Sequence, residues 1–201
     1  METEKHATDA PQGLPRSPEL MNASDTGLLV VDAQEKLMAI VRDKVRVTWN
    51  IRRLLDAAKI LGVPIAATEQ YPDKLSPTIP ELKERIGHAP DKLAFSAGVC
   101  GEIFERWSND ARDRVLLCGI ETHVCVAQTA FDLTAAGFSV YVAVDAVSTR
   151  QAIDHDTALR RMESAGIVLT TTEAAMFEWC RTADTPEFKQ ISALAKESPP
   201  G

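Results

Sequence analysis

The sequence predicts an α/β fold, a parallel sheet covered on both faces by helices. Three observations predict it. Leu28-Leu29-Val30-Val31 and Val115-Leu116-Leu117-Cys118 are apolar runs without polar alternation, the mark of strands buried on both sides. Leu61-Gly62-Val63, Ala136-Gly137-Phe138 and Ala165-Gly166-Ile167 each combine a helix end, a left-handed glycine and a strand start. Strands and helices then alternate at a pitch suited to right-handed crossovers. There is no internal repeat and no interior linker, so 26–201 is expected to be one domain.

The elements follow in order. Met1 to about Asp25 is polar, carries Pro11, Pro15 and Pro18, and reads as a flexible arm, part of which lies across the body or a neighbouring subunit. Thr26 to Asp32 is the first strand and ends in an acid. Val47, Ile51, Leu54, Leu55 and Ala58 form one helical stripe that Gly62 terminates. Val63 to Thr68 is the second strand, and 69–74 is a loop. A brief helix lies over Glu81–Glu84, followed by a short edge strand or extended loop over 89–96. Ser96 to Trp107 is a helix with Val99, Ile103, Phe104 and Trp107 turned inward. The strand through Cys118 comes next, then a helix from Val124 to Ala136. Phe138 to Asp145 is a strand, again ending in an acid. Ser148 and Gln151 match a capping box for a helix from Arg150 to Ala165. Ile167–Thr171 is the last strand, and Thr172–Arg181 and the segment after Pro186 are helices.

Composition excludes several functions. A formal charge of −7 gives no basic field for nucleic acid or an anionic membrane. No apolar stretch approaches the ~20 residues of a membrane span, and no signal-peptide core opens the chain. The four cysteines form no C-x-x-C pair, and free thiols fit a reducing, cytoplasmic setting. No G-x-G-x-x-G or P-loop follows the first strand, which argues against a dinucleotide or phosphate site.

Cys125 stands where a strand gives way to a helix. Free amides and the positive end of the helix dipole converge there. They bias a thiol toward thiolate and can hold an oxyanion. The other reading is a small buried apolar residue, which suits Cys100, Cys118 and Cys180. Asp32 lies beyond a strand's carboxyl end, where sites in open parallel sheets form; a turn-capping acid would look the same. Lys92 on a solvated edge would be unremarkable.

These stretches together resemble the isochorismatase-like cysteine hydrolases, closest to the isochorismatase domain-containing proteins. The resemblance runs from about Ser17 to the C-terminus. It is carried by Leu28 to Lys36, Thr68-Glu69-Gln70-Tyr71-Pro72, Lys92 with Phe95-Ser96, Leu116 to Val126, Val144 to Arg150 and Arg161 to Gly166. It implies a three-layer αβα, Rossmann-like fold with six mostly parallel strands in the order 3-2-1-4-5-6. It implies a catalytic Asp32, Lys92 and Cys125 and a cis peptide at Ile120–Glu121. It also implies an oxyanion hole from the amides of Glu121 and Cys125. The expected reaction is hydrolysis of a C–N, amide-like bond of a small molecule through a Cys thioacyl intermediate, without a cofactor. Gln34, Tyr71, Phe95 and His123 are expected to line the pocket, and a homo-oligomer is expected, with the apolar C-terminal helix a candidate interface.

The match departs from the nicotinamidase branch, which holds a metal through an Asp-x-His pair after the second strand. Gln70 and Tyr71 stand in that region here, so no metal is expected. The competing reading is a binding or scaffold protein that keeps the fold without useful turnover. An intact Asp32, Lys92 and Cys125 favours the enzyme. His155 reads as a surface or capping residue and Asp145 as a loop-fixing acid.

Overall fold

A computed structural model describes residues 14–200. Its strands are β1 (Thr26–Val31), β2 (Ile65–Gln70), β3 (Asp91–Lys92), β4 (Arg114–Ile120), β5 (Ser139–Ser148) and β6 (Val168–Thr170). The helices are α1 (Glu35–Met38), α2 (Lys44–Leu61), α3 (Pro72–Leu75), α4 (Pro80–Ile86), α5 (Gly101–Asn109), α6 (Ala127–Ala135), α7 (Ala152–Ser164), α8 (Thr172–Cys180) and α9 (Phe188–Ala195). All strand pairs are parallel, in the order β3-β2-β1-β4-β5-β6. Winding reverses between β1 and β4, which lie side by side at the centre.

The pleat divides β1 between two cores. Leu28 and Val30 face the layer of α2, α4, α8 and α9, with Ile51, Leu82, Met176 and Ile191 among the residues packed there. Leu29 and Val31 face α5, α6 and α7, through Trp107, Ala130 and Met162. Gly62, Gly137 and Gly166 all take positive φ, at 71°, 94° and 83°, as the helix–glycine–strand junctions require.

Glycine matters most at the sheet's centre. Gly119 pairs with Val31 and has φ 112°. A Cβ there would lie 2.0 Å from the Val31 carbonyl oxygen. The carboxyl ends of β1 and β4 therefore approach more closely than any other residue would allow.

Several boundaries differ from expectation. β2 includes Glu69 and Gln70, which pair with Asp91 and Lys92; strand pairing overrides their polarity. The segment after it contains the single turn α3 rather than a loop throughout. The helix expected from Ser96 divides into a 3₁₀ turn, Ala97–Val99, and α5, and Val99 is exposed, not core. Before α6 the chain makes a π-helical turn over Thr122–Val126. β5 runs past Asp145 to Ser148, so Asp145 does not end it. Its carboxylate accepts from the amide and hydroxyl of Thr172 instead, fixing the start of α8. The Ser148–Gln151 box does not form: Ser148 Oγ donates to the Arg42 carbonyl, and Gln151 makes no side-chain cap.

Of the expected arm, residues 1–13 lie outside the described residues. Residues 16–21 lie across the body. Arg16 donates to the Glu178 carbonyl, Tyr141 donates to the Glu19 carbonyl, and Met21 is fully buried in the core. α9, a candidate interface from its apolar pattern, turns that face inward through Ile191, with Phe188, Leu194 and Ala195 against the same core.

Candidate active site

Asp32 follows β1 directly, Cys125 lies in the π-helical turn after β4, and Lys92 ends the edge strand β3. The fold gathers all three at the crevice where winding reverses, the ligand-binding location of open parallel sheets. Lys92 Nζ is 2.7 Å from Asp32 Oδ2, and neither side chain touches solvent. The thiol of Cys125 lies near enough to the Asp32 carboxylate and to the backbone amide of Glu121 for both to act on its titration, the carboxylate raising it and the amide lowering it. The peptide bond between Ile120 and Glu121 is cis.

Local structure fixes each group. Asp32 has φ 49°, a left-handed value that costs a non-glycine residue about 1–2 kcal/mol. Its amide donates to the Thr68 carbonyl and its carbonyl accepts from the Gln34 amide at 2.7 Å. Its Oδ1 accepts from Thr68 Oγ1 at 2.8 Å. Lys92 Nζ also donates to Gln70 Oε1 at 2.8 Å and to the Phe95 carbonyl at 2.8 Å. A buried ammonium needs such acceptors to offset its desolvation. Gln70 in turn donates Nε2 to the Leu93 carbonyl, so it ties the lysine to its own loop.

Electrostatics corrects one expectation. Cys125 is not biased toward thiolate at rest. Burial first, and then the Asp32 carboxylate, push its thiol up to about 12, against opposing help from Lys92 and the Glu121 amide. Burial also raises the Asp32 carboxyl above the usual carboxylate range, opposed chiefly by Lys92. The resting site is therefore a protonated thiol beside an acid with raised proton affinity.

The four expected pocket residues separate. Tyr71 and Phe95 expose their rings on the segments that hold Lys92: Tyr71 donates its amide to the Lys92 carbonyl. Gln34 is held in the interior. It is fully buried, with Nε2 donating to the carbonyls of Gln70 and Ser76 and Oε1 accepting from the Gln70 amide. His123 turns to Thr149, with Nδ1 3.1 Å from its hydroxyl, and its Nε2 lies 3.8 Å from Asp154 Oδ2. His155 is half-buried, with Nδ1 3.0 Å from Thr122 Oγ1. The sequence marks Gln70 only as standing in the metal region of the nicotinamidase branch and gives Thr68 no role of its own; the register of Gln70 with Lys92 is the signal that would have tied it to the site.

The comparisons with known proteins decide the family. The isochorismatase domain model matches residues 26–174. The chain belongs to the isochorismatase family. Isochorismatase-family members are hydrolases. One relative is the secreted isochorismatase effector Isc1 of Phytophthora sojae, 38% identical over 177 residues, covering 85% of this chain and 84% of that protein. Another is the mouse isochorismatase domain-containing protein 2A, 39% identical over 173 residues, covering 86% and 84%. Among solved structures, the MAR1 ribonuclease from Caenorhabditis elegans superposes with a TM-score of 0.83 at 40% identity, covering 90% of this chain and 95% of that one. The YcaC gene product of Escherichia coli, an octameric hydrolase of unknown specificity, gives 0.80 at 26% identity, covering 90% and 92%. Among the described residues no helix is long and apolar enough to cross a membrane, and no cluster of three metal-ligating side chains occurs.

Proposed function

We propose that this isochorismatase-family chain is a cysteine hydrolase that cleaves an amide-like C–N bond of a small molecule, without a cofactor. The juxtaposition of Asp32, Lys92 and Cys125 at one buried point carries the reading. Asp32 takes the thiol proton as sulfur attacks the carbonyl carbon. The amides of Glu121 and Cys125 receive the oxyanion. Asp32 returns the proton to the leaving nitrogen as the C–N bond breaks, leaving a thioester on Cys125. Water then attacks the thioester; Asp32 takes its proton and passes it to the departing sulfur, releasing the acid. Lys92 keeps the carboxylate oriented and balances its charge. Cys125 is only 5% exposed, so the reacting carbon must sit at an unhindered end of the substrate.

A panel of small amides and esters, run with wild type and Cys125→Ala, tests this. Turnover lost in the variant supports the reading, and turnover that survives it removes the reading. The MAR1 relative makes RNA the natural counter-substrate. The charge of −7 favours a small molecule over a polyanion. RNA cleavage that persists in Cys125→Ala, with no amide turnover in wild type, would transfer the function to RNA. Octameric YcaC supports a homo-oligomer here, which light scattering on the eluted protein would measure.

A further inference from the structure

We propose that the carboxylate of Glu121 is a positioning group, clamped by Thr149 and Arg150 so that the amide of the same residue faces the sulfur of Cys125. The inference rests on the hydrolase reading and deepens it, adding a support for the oxyanion site.

The two parts of Glu121 serve different sides. Its carbonyl accepts from the amides of Val124, at 3.1 Å, and Val126, at 3.2 Å, which shapes the π-helical turn. Its carboxylate points toward the segment between β5 and α7. There Oε2 accepts from Thr149 Oγ1, from the Arg150 amide and from Arg150 Nε, each at 3.1 Å. Glu121 is 8% exposed. A carboxylate buried that far is costly unless such donors meet it, and an apolar residue would fill the junction without them.

Donor bookkeeping extends the clamp. Thr149 has one hydroxyl proton. Given to Glu121, it leaves the oxygen to accept from His123, which places the His123 proton on Nδ1. His123, Thr149, Glu121 and Arg150 thus form one continuous run beside the amide that acts on the thiol. An amide fixed in advance stabilises developing negative charge without reorganising. The same amide favours the thiolate over the thiol.

The test uses the whole chain and needs no substrate. Iodoacetamide alkylation of Cys125 is followed by peptide mass spectrometry across the neutral to alkaline range, with the partly exposed Cys100 as internal reference. Glu121→Ala is expected to slow Cys125 alkylation about tenfold at a fixed pH, one unit of thiol titration, with Cys100 unchanged. Glu121→Gln keeps an acceptor and is expected to recover part of the rate. A lower melting temperature with an unchanged Cys125 rate would overturn the proposal, because it would leave Glu121 a structural strut only. Should Glu121→Ala fail to fold, Thr149→Val and Arg150→Ala each remove one donor and take the same readout. A wild-type rate in both overturns the proposal. Absence of amide turnover in wild type would defeat the hydrolase reading alone and leave the alkylation result standing.

Discussion

Lys92 Nζ lies 2.7 Å from Asp32 Oδ2, and both side chains are wholly removed from solvent. Taking away one partner strands the other charge in the interior. Lys92→Met and Asp32→Asn are each expected to cost about 3–5 kcal/mol. The double variant should lose less than the two single losses combined, because it strands no charge. Urea unfolding of the four proteins measures this, and strict additivity would contradict the pairing.

Alkaline pH should destabilise the protein through Cys125. The native thiol is pushed from 9.0 up to about 12. Between those values the unfolded chain releases a proton that the native state keeps, so stability falls as pH rises. The loss through this thiol amounts to about 4 kcal/mol across the window. Burial raises the Cys118 thiol too, so its contribution has the same sign. Cys125→Ala is expected to flatten the alkaline limb of a stability–pH curve and leave its neutral region far less changed in slope. An unchanged limb would contradict the assignment.

Gly119→Ala should be among the most damaging small substitutions in the chain. The new methyl would meet the Val31 carbonyl oxygen at 2.0 Å, at a φ of 112°. Relief requires β1 and β4 to part, at a cost of about 3 kcal/mol or more. Gly62→Ala, with φ 71° and open space around the site, is expected to cost only about 1–2 kcal/mol. Thermal melts of the pair give the contrast, and similar losses would show that crowding at the sheet's centre is not decisive.

Gln70 Oε1 accepts from the same Lys92 ammonium that pairs with Asp32. Gln70→Leu removes that acceptor and leaves a buried ammonium short of one partner. Activity is expected to fall about tenfold or more, with stability lowered by about 1–3 kcal/mol. Kinetics on any substrate found in the amide panel would check it, and full activity in Gln70→Leu would make the contact incidental.

The parallel sheet was legible because buried parallel strands write themselves as apolar runs and because glycine punctuates the junctions; its strand order came from the family resemblance alone. Asp32 and Cys125 could be placed because each follows such a run. The strand boundaries moved because pairing with a distant strand outweighs local composition. Glu69 and Gln70 read as loop until β3 pairs with them. Thr149 and Arg150 carry no local sign that Glu121 will accept from them, since 28 residues separate Thr149 from it and 29 separate Arg150. The upward shift of the thiol was also invisible, because a helix terminus can be read from sequence and the depth of burial cannot.

β3 contains only Asp91 and Lys92, at the margin of the sheet. The acid and the sulfur are set by the two innermost strands, whereas the amine is delivered from the rim. Under the proposed reading, drift in the outer segments would retune the charge balance around Asp32 while the sulfur of Cys125 stays where it is. A lineage of related hydrolases could diversify its chemistry from the periphery inward.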